Sequence, residues 1–129
     1  MDAFQPVEVI YPDVELQVCR GIGALGLDID FVGRQMPRDG FATAVVVNRV
    51  GGRDPTPVVQ IRCFAATPQA ATDLARNLAA RLPRISRMGL GVVRFRQNEG
   101  PTDLGDDPIP LRQLMYDVTV RGRAIKTND

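Results

Sequence analysis

The segment from Thr67 to Pro83 constrains the fold more than any other. Ala71, Leu74, Ala75, Leu78 and Leu82 recur at three- and four-residue spacing, the period of a helix with one buried face. Thr67 supplies a hydroxyl cap and Pro68 suits the first helical position. Pro83 biases Leu82 away from helical geometry and marks the end. Thr72, Asp73, Arg76, Asn77 and Arg81 lie off the apolar face. A helix with a single apolar stripe must lie on another layer.

The rest of the chain supplies strands for that layer. Ala44-Val45-Val46-Val47 is almost continuously β-branched and predicts a strand within 42–50 that is buried on both faces. Val59, Ile61 and Cys63 alternate with Gln60, Arg62 and Phe64, predicting a strand over 58–65. The Gly, Pro and Asp cluster at 51–57 joins the two as a hairpin with a long tip. Further strands are predicted at 90–95 and at 112–123, where Leu114, Tyr116, Val118 and Val120 share a face. Leu27, Ile29 and Phe31 alternate with Asp28, Asp30 and Val32 in the same manner. Residues 100–111 read as a long polar loop.

Near the start, Asp13 suits a helix N-cap, and Val14, Val18, Ile22 and Leu25 follow at helical spacing. Gly23 and Gly26 supply a stop, so a helix is predicted over 13–25. A strand over 14–18 competes, because Val14, Leu16 and Val18 also alternate. With 129 residues there is material for one hydrophobic core. The expectation is one α+β domain spanning 1–129. Its sheet is mixed or mainly antiparallel, with four to five strands and two helices packed on it. Residues 1–12 form a lead-in and 124–129 a tail, both expected to be flexible.

Composition removes several classes of chemistry. There is no histidine, the commonest general base and a frequent zinc ligand. Ser86 is the one serine, so a Ser–His pair cannot form. Cys19 and Cys63 sit in apolar, patterned surroundings and read as buried free thiols. The net charge is +1, which argues against a dedicated nucleic-acid binder. Fifteen of the sixteen basic residues are arginine, a bias that a GC-rich genome produces unaided. No signal peptide is visible, and no apolar run approaches the roughly 18 residues of a membrane span.

Three motifs invite a chemical reading. Gly21-Ile22-Gly23-Ala24-Leu25-Gly26 spells the dinucleotide fingerprint, but a helix precedes it and a strand follows, the reverse of the required context. Glycines at a helix C-terminus explain it better. Asp28 and Asp30 project from one strand face without a third ligand, and read as a solvated face. Asp103, Asp106 and Asp107 lack the spacing of a calcium loop. No catalytic residue, metal ligand or cofactor site is therefore expected, and the chain reads as a non-enzyme. Arg76, Arg81, Arg84 and Arg87 cluster near the end of the second helix, where cations complement the helix dipole. They are also candidates for contact with acids on another chain. The candidate subunit or partner interface comprises these four arginines, Arg53 and Asp54 at the hairpin tip, Asp103, Asp106 and Asp107 in the long loop, and Arg112.

The ordered set of segments resembles the tail terminator, or tail completion, proteins of long-tailed, non-contractile bacteriophages of actinobacterial hosts. The pieces are Pro12-Asp13 opening a helix, Arg34-Gln35-Met36-Pro37 after a strand, and Val45-Val46-Val47-Asn48-Arg49-Val50-Gly51-Gly52. Val59-Gln60-Ile61-Arg62-Cys63-Phe64-Ala65 follows, then the helix at 71–75, Gly100-Pro101, and Tyr116-Asp117-Val118-Thr119-Val120-Arg121-Gly122-Arg123. The resemblance covers roughly residues 12 to 123. Cys63 departs from it, standing where a bulkier residue belongs. It implies a hexameric ring that caps the tail tube, stops its polymerisation and meets the head–tail connector or stopper protein. Its partners would be copies of itself and the tail tube protein, with DNA passing non-specifically through the lumen and no membrane involved. The implied location is the virion neck, after assembly in the host cytoplasm. Another neck or tail protein, such as a head–tail stopper or a minor tail subunit, is the alternative, followed by a small-ligand binding domain.

Overall fold

The computed structural model describes residues 7–38 and 40–126. The chain runs β1 (Val7–Ile10), α1 (Val14–Ala24), β2 (Phe31–Gly33), β3 (Thr43–Arg53), β4 (Thr56–Ala65) and α2 (Pro68–Arg81). A short 3-10 helix, Leu82–Arg87, leads into β5 (Val92–Asp103), β6 (Leu111–Val120) and β7 (Arg123–Lys126). This is an α+β fold. Its five-stranded sheet has the order β2-β3-β4-β6-β5, and β1 and β7 form a separate two-stranded sheet. Only the β2–β3 pairing in the large sheet is parallel.

Both helices start as their caps dictate. The Asp13 carboxylate accepts from Leu16 N at 3.2 Å, which settles 13–25 in favour of a helix. Thr67 Oγ1 accepts from Ala70 N at 3.2 Å. α2 buries Ala71, Leu74, Ala75 and Leu78, as its pattern requires. Past Leu82 the chain tightens into the 3-10 helix, which buries Leu82 and Ile85.

The core lies between these helices and one face of the sheet. It holds Val18 and Ile22 from α1, Leu74 and Leu78 from α2, and Val45, Val47, Val59, Ile61, Leu114 and Val118 from the strands. A smaller cluster, Ala44, Val46 and Phe64, sits on the other face with Phe31, Phe41, Ile109 and Leu111 against it. Ala44 through Val47 are thus buried on both faces, as their β-branched run predicts.

Several boundaries differ from the sequence reading. The expected strand at 27–32 shrinks to Phe31–Gly33, because Ile29 N bonds back to Leu27 O at 3.0 Å and breaks the extended path. The hairpin tip is short. β3 and β4 stay paired out to Arg53 and Thr56, and a bulge between Arg49 and Gly51 absorbs the irregularity. β5 continues through Gly100 and Pro101 to Asp103, leaving a loop of only 104–110. The chain ends also carry strands: Val7 to Ile10 pair antiparallel with Lys126 to Arg123. The expected flexible lead-in and tail therefore each contain a paired segment, and their remainders at 1–6 and 127–129 lie outside the described residues.

Candidate functional site

The glycine fingerprint resolves into packing. Gly21 is buried in α1, where a Cβ would stand 2.5 to 2.8 Å from the Ile85 side chain. Gly26 reverses the chain after the helix at φ +75°. The strand follows the helix, so no amide cradle faces a pyrophosphate. Asp30 is a staple: its carboxylate accepts from Ala42 N at 2.7 Å and Thr43 N at 3.3 Å. Its own N–H donates to Thr43 Oγ1 at 3.0 Å, closing the 31–42 excursion at its neck.

Arg112 occupies an inward position of β6, in phase with Leu114 and Tyr116, and is 6% exposed. Its Nε donates to Thr72 Oγ1 on α2 at 3.1 Å. Its guanidinium pairs with Asp103 and Asp106, each at 3.1 Å, and donates to Gly105 O at 3.3 Å. One cation thus ties α2, the end of β5 and the 104–110 loop together. Among the candidate interface residues, Arg112, Asp103 and Asp106 are engaged with each other inside the chain. Asp107, also in the loop, is exposed and makes no ion pair with a described residue. Arg76 joins Thr72, Pro101, Asp103 and Arg112 around a hollow of about 200 Å³.

The other candidates lie elsewhere. Arg53 and Asp54 are exposed at the hairpin tip, where Asp54 pairs with Arg49 at 3.2 Å. Arg81 turns back onto Asn77 Oδ1 at 3.0 Å. Arg84 and Arg87 are exposed on the 3-10 helix. The ten residues therefore form three groups rather than one surface. A further ion network binds the hairpin to the start of α1. Arg34 reaches Asp13 at 3.2 Å and Glu15 at 3.6 Å, and Glu15 accepts from Arg49 N at 2.7 Å.

Two surfaces were not singled out from the sequence. The first is the face of the sheet opposite the helices. Beyond the small apolar cluster, β3, β4, β6 and β5 present Asn48, Gln60, Arg62, Gln113, Met115, Asp117, Thr119, Arg94 and Arg96 on it. Neighbouring strands pair these side chains: Gln60 Nε2 donates to Gln113 Oε1 at 2.7 Å, and Arg62 donates to Asn48 Oδ1 at 3.1 Å. The Arg62 guanidinium also sits 5.9 Å above the Phe64 ring. The alternation of Gln60 and Arg62 with Val59 and Ile61 is the sequence signal that such a face exists. The second surface is an apolar notch of about 220 Å³ lined by Phe41, Ala65, Ala66, Pro108, Ile109 and Pro110. That volume falls below the roughly 300–1,000 Å³ of small-molecule pockets.

Cys63 is buried as expected, whereas Cys19 is only half-buried on α1. Both cysteines are free. Burial pushes Cys63 up to about 12. Burial also raises Cys19, to about 11, although the Arg34 charge opposes it. Tyr116 is raised to about 12, again by burial, with Cys63 adding to it. No group of three or more Cys, Asp or Glu side chains among the described residues is placed to hold a metal ion. No described helix is long and apolar enough to cross a membrane. A comparison with protein-family models and with curated proteins finds no match.

Proposed function

We propose that this chain is a structural subunit of a bacteriophage virion. It caps the tail tube as a tail terminator, ends tube polymerisation and forms part of the head–tail connection. The observation that carries the reading is the one-sided sheet: helices cover one face, and the other is a broad polar surface beside a small apolar cluster. Such a subunit does its work at its surfaces rather than in a pocket. The ordered resemblance to tail terminators supplies the name of the assembly.

The expected assembly is a hexameric ring of this chain, seated on the tail tube protein and facing a connector or stopper. A cyclic ring needs two different surfaces per subunit. The hairpin tip and the notch, at opposite ends of β3 and β4, offer such a pair. The uncovered face mixes Arg62, Arg94 and Arg96 with Asp117 and Glu99 among neutral amides. That mixture suits passage of DNA without a strong grip on its phosphates.

The test combines purified chain with tail tube subunits. Ring formation, alone or on the tube, supports the reading. A chain that stays monomeric at high concentration and ignores tube protein sinks it. Loss of the gene separates a terminator from a stopper: overlong tails mark the first, normal tails without heads the second.

A further inference from the structure

We propose that the hollow of about 200 Å³ between α2, the end of β5 and the start of β6 binds a carboxylate, held by Arg112, Thr72 and Arg76. The inference goes beyond the assembly reading and does not depend on it.

Arg112 turns an unused donor into this hollow. Its side chain is only 7% exposed, yet its donors are spent unevenly. Nη1 faces four oxygens, from Asp103, Asp106, Gly105 and Leu111. Nε donates to Thr72 Oγ1. Nη2 donates to no described residue, and it is not sealed from solvent. A guanidinium is a rigid planar fork in which Nε–H and one Nη2–H run parallel along one edge. Nε–H points at Thr72, so that Nη2–H points past it, toward the α2 wall of the hollow.

Two more donors converge there. Thr72 Oγ1 accepts from Arg112, which leaves its own O–H to donate. Arg76 follows Thr72 by four residues, so the two share a face of α2. Arg76 is exposed and makes no ion pair with a described residue.

The charges select the ligand. Among those lining the hollow, Arg112 and Asp103 are paired with each other and Arg76 is not, so a single negative charge matches. Asp103 and Asp106, on the Nη1 side, would repel a phosphate dianion. A carboxylate brings one charge and two coplanar acceptor oxygens, one for Arg112 Nη2 and Thr72, the other for Arg76. Small carboxylic acids and an acidic side chain of a docked protein share this chemistry.

Nuclear magnetic resonance of the arginine side-chain N–H groups in the full ¹⁵N-labelled chain tests this. Sodium acetate, titrated against sodium chloride at equal ionic strength, should shift the Arg112 signals saturably, with a Kd on the order of millimolar. Arg76→Gln should weaken binding about fivefold, whereas Arg20→Gln, which removes the same charge from α1, should leave it unchanged. Arg112→Met should abolish binding while the backbone amide spectrum keeps its dispersion. Inorganic phosphate should bind more weakly than acetate. A capped aspartate that binds more tightly than acetate marks a docked protein as the source, and equal binding marks a small acid. No saturable shift with acetate, equal losses in Arg76→Gln and Arg20→Gln, or tighter binding of phosphate overturns the proposal. Arg76 is exposed, so its variant tests the site even if Arg112→Met fails to fold.

Discussion

Replacing Gly21 and Gly23 by alanine, one at a time, separates packing from helix propensity within two residues. Both glycines lie inside α1, so alanine should favour the helix by up to about 1 kcal/mol at each. At Gly23 nothing stands within 4 Å of the new Cβ, so Gly23→Ala should stabilise by about 0.5–1 kcal/mol. At Gly21 the new methyl meets three Ile85 carbons at 2.5, 2.7 and 2.8 Å. Ile85 is fully buried and cannot swing into solvent. Overpacking of this kind costs typically about 1–3 kcal/mol. Net of propensity, Gly21→Ala should destabilise by up to about 2 kcal/mol. Urea unfolding followed by circular dichroism measures both. Ile85→Ala alone should cost about 2–5 kcal/mol through its cavity. Combined with Gly21→Ala it should cost clearly less than the sum, because the methyl enters the space vacated. If Gly21→Ala stabilises as much as Gly23→Ala, or if the double variant is additive, the proposed contact between α1 and the 3-10 helix is wrong.

The Arg112 cluster predicts an asymmetry. Asp103 and Asp106 side chains are 64% and 54% exposed, so each ion pair is screened and worth at most about 1 kcal/mol. Removing both acids leaves a buried cation with neutral acceptors and should cost about 2 kcal/mol, whereas Arg112→Met in its apolar phase should stay within about 1 kcal/mol of wild type. Chemical denaturation ranks the two, and the reverse order refutes the assignment. Alkaline pH should loosen the fold through the thiols. Their folded values are raised above 9.0, so their contribution is intact below that pH. It is lost as pH rises through about 11 for Cys19 and about 12 for Cys63, because the unfolded chain ionises first. Cys63→Val should shrink that alkaline loss of unfolding free energy, and an unchanged loss would refute it. Thr67→Ala should cost about 1 kcal/mol in the same unfolding assay, and no loss would show that the α2 cap is dispensable.

Legibility in the sequence followed how many local signals agreed. α2 was fully legible because cap, proline and apolar stripe all mark the same segment. The hairpin pairing was legible, but its tip was not: Gly51, Gly52, Pro55 and Pro57 suggest a turn wherever they stand, and only the partner strand shows that most of them are paired. Pro101 misled for a related reason. β5 is the outer strand of the sheet, and at an edge the missing N–H need not break the ladder. The β1–β7 pairing joins segments more than a hundred residues apart, and short apolar stretches carry no signal for so distant a partner. At the candidate interface, residue types were visible and pairing was not. That Arg112 falls in phase with Leu114 was readable as an inward cation, yet its two acids come from β5 and the loop, positions set by the tertiary fold.

The two-stranded sheet of β1 and β7 has a topological consequence. Val7 and Lys126 are paired across it, so the two directions of the chain leave the body at one corner, side by side. A short peptide could join them, and new termini could be cut at the 104–110 loop, without rerouting any strand of the large sheet. Fusions placed ahead of β1 and behind β7 would likewise emerge together, leaving the far corner of the molecule clear.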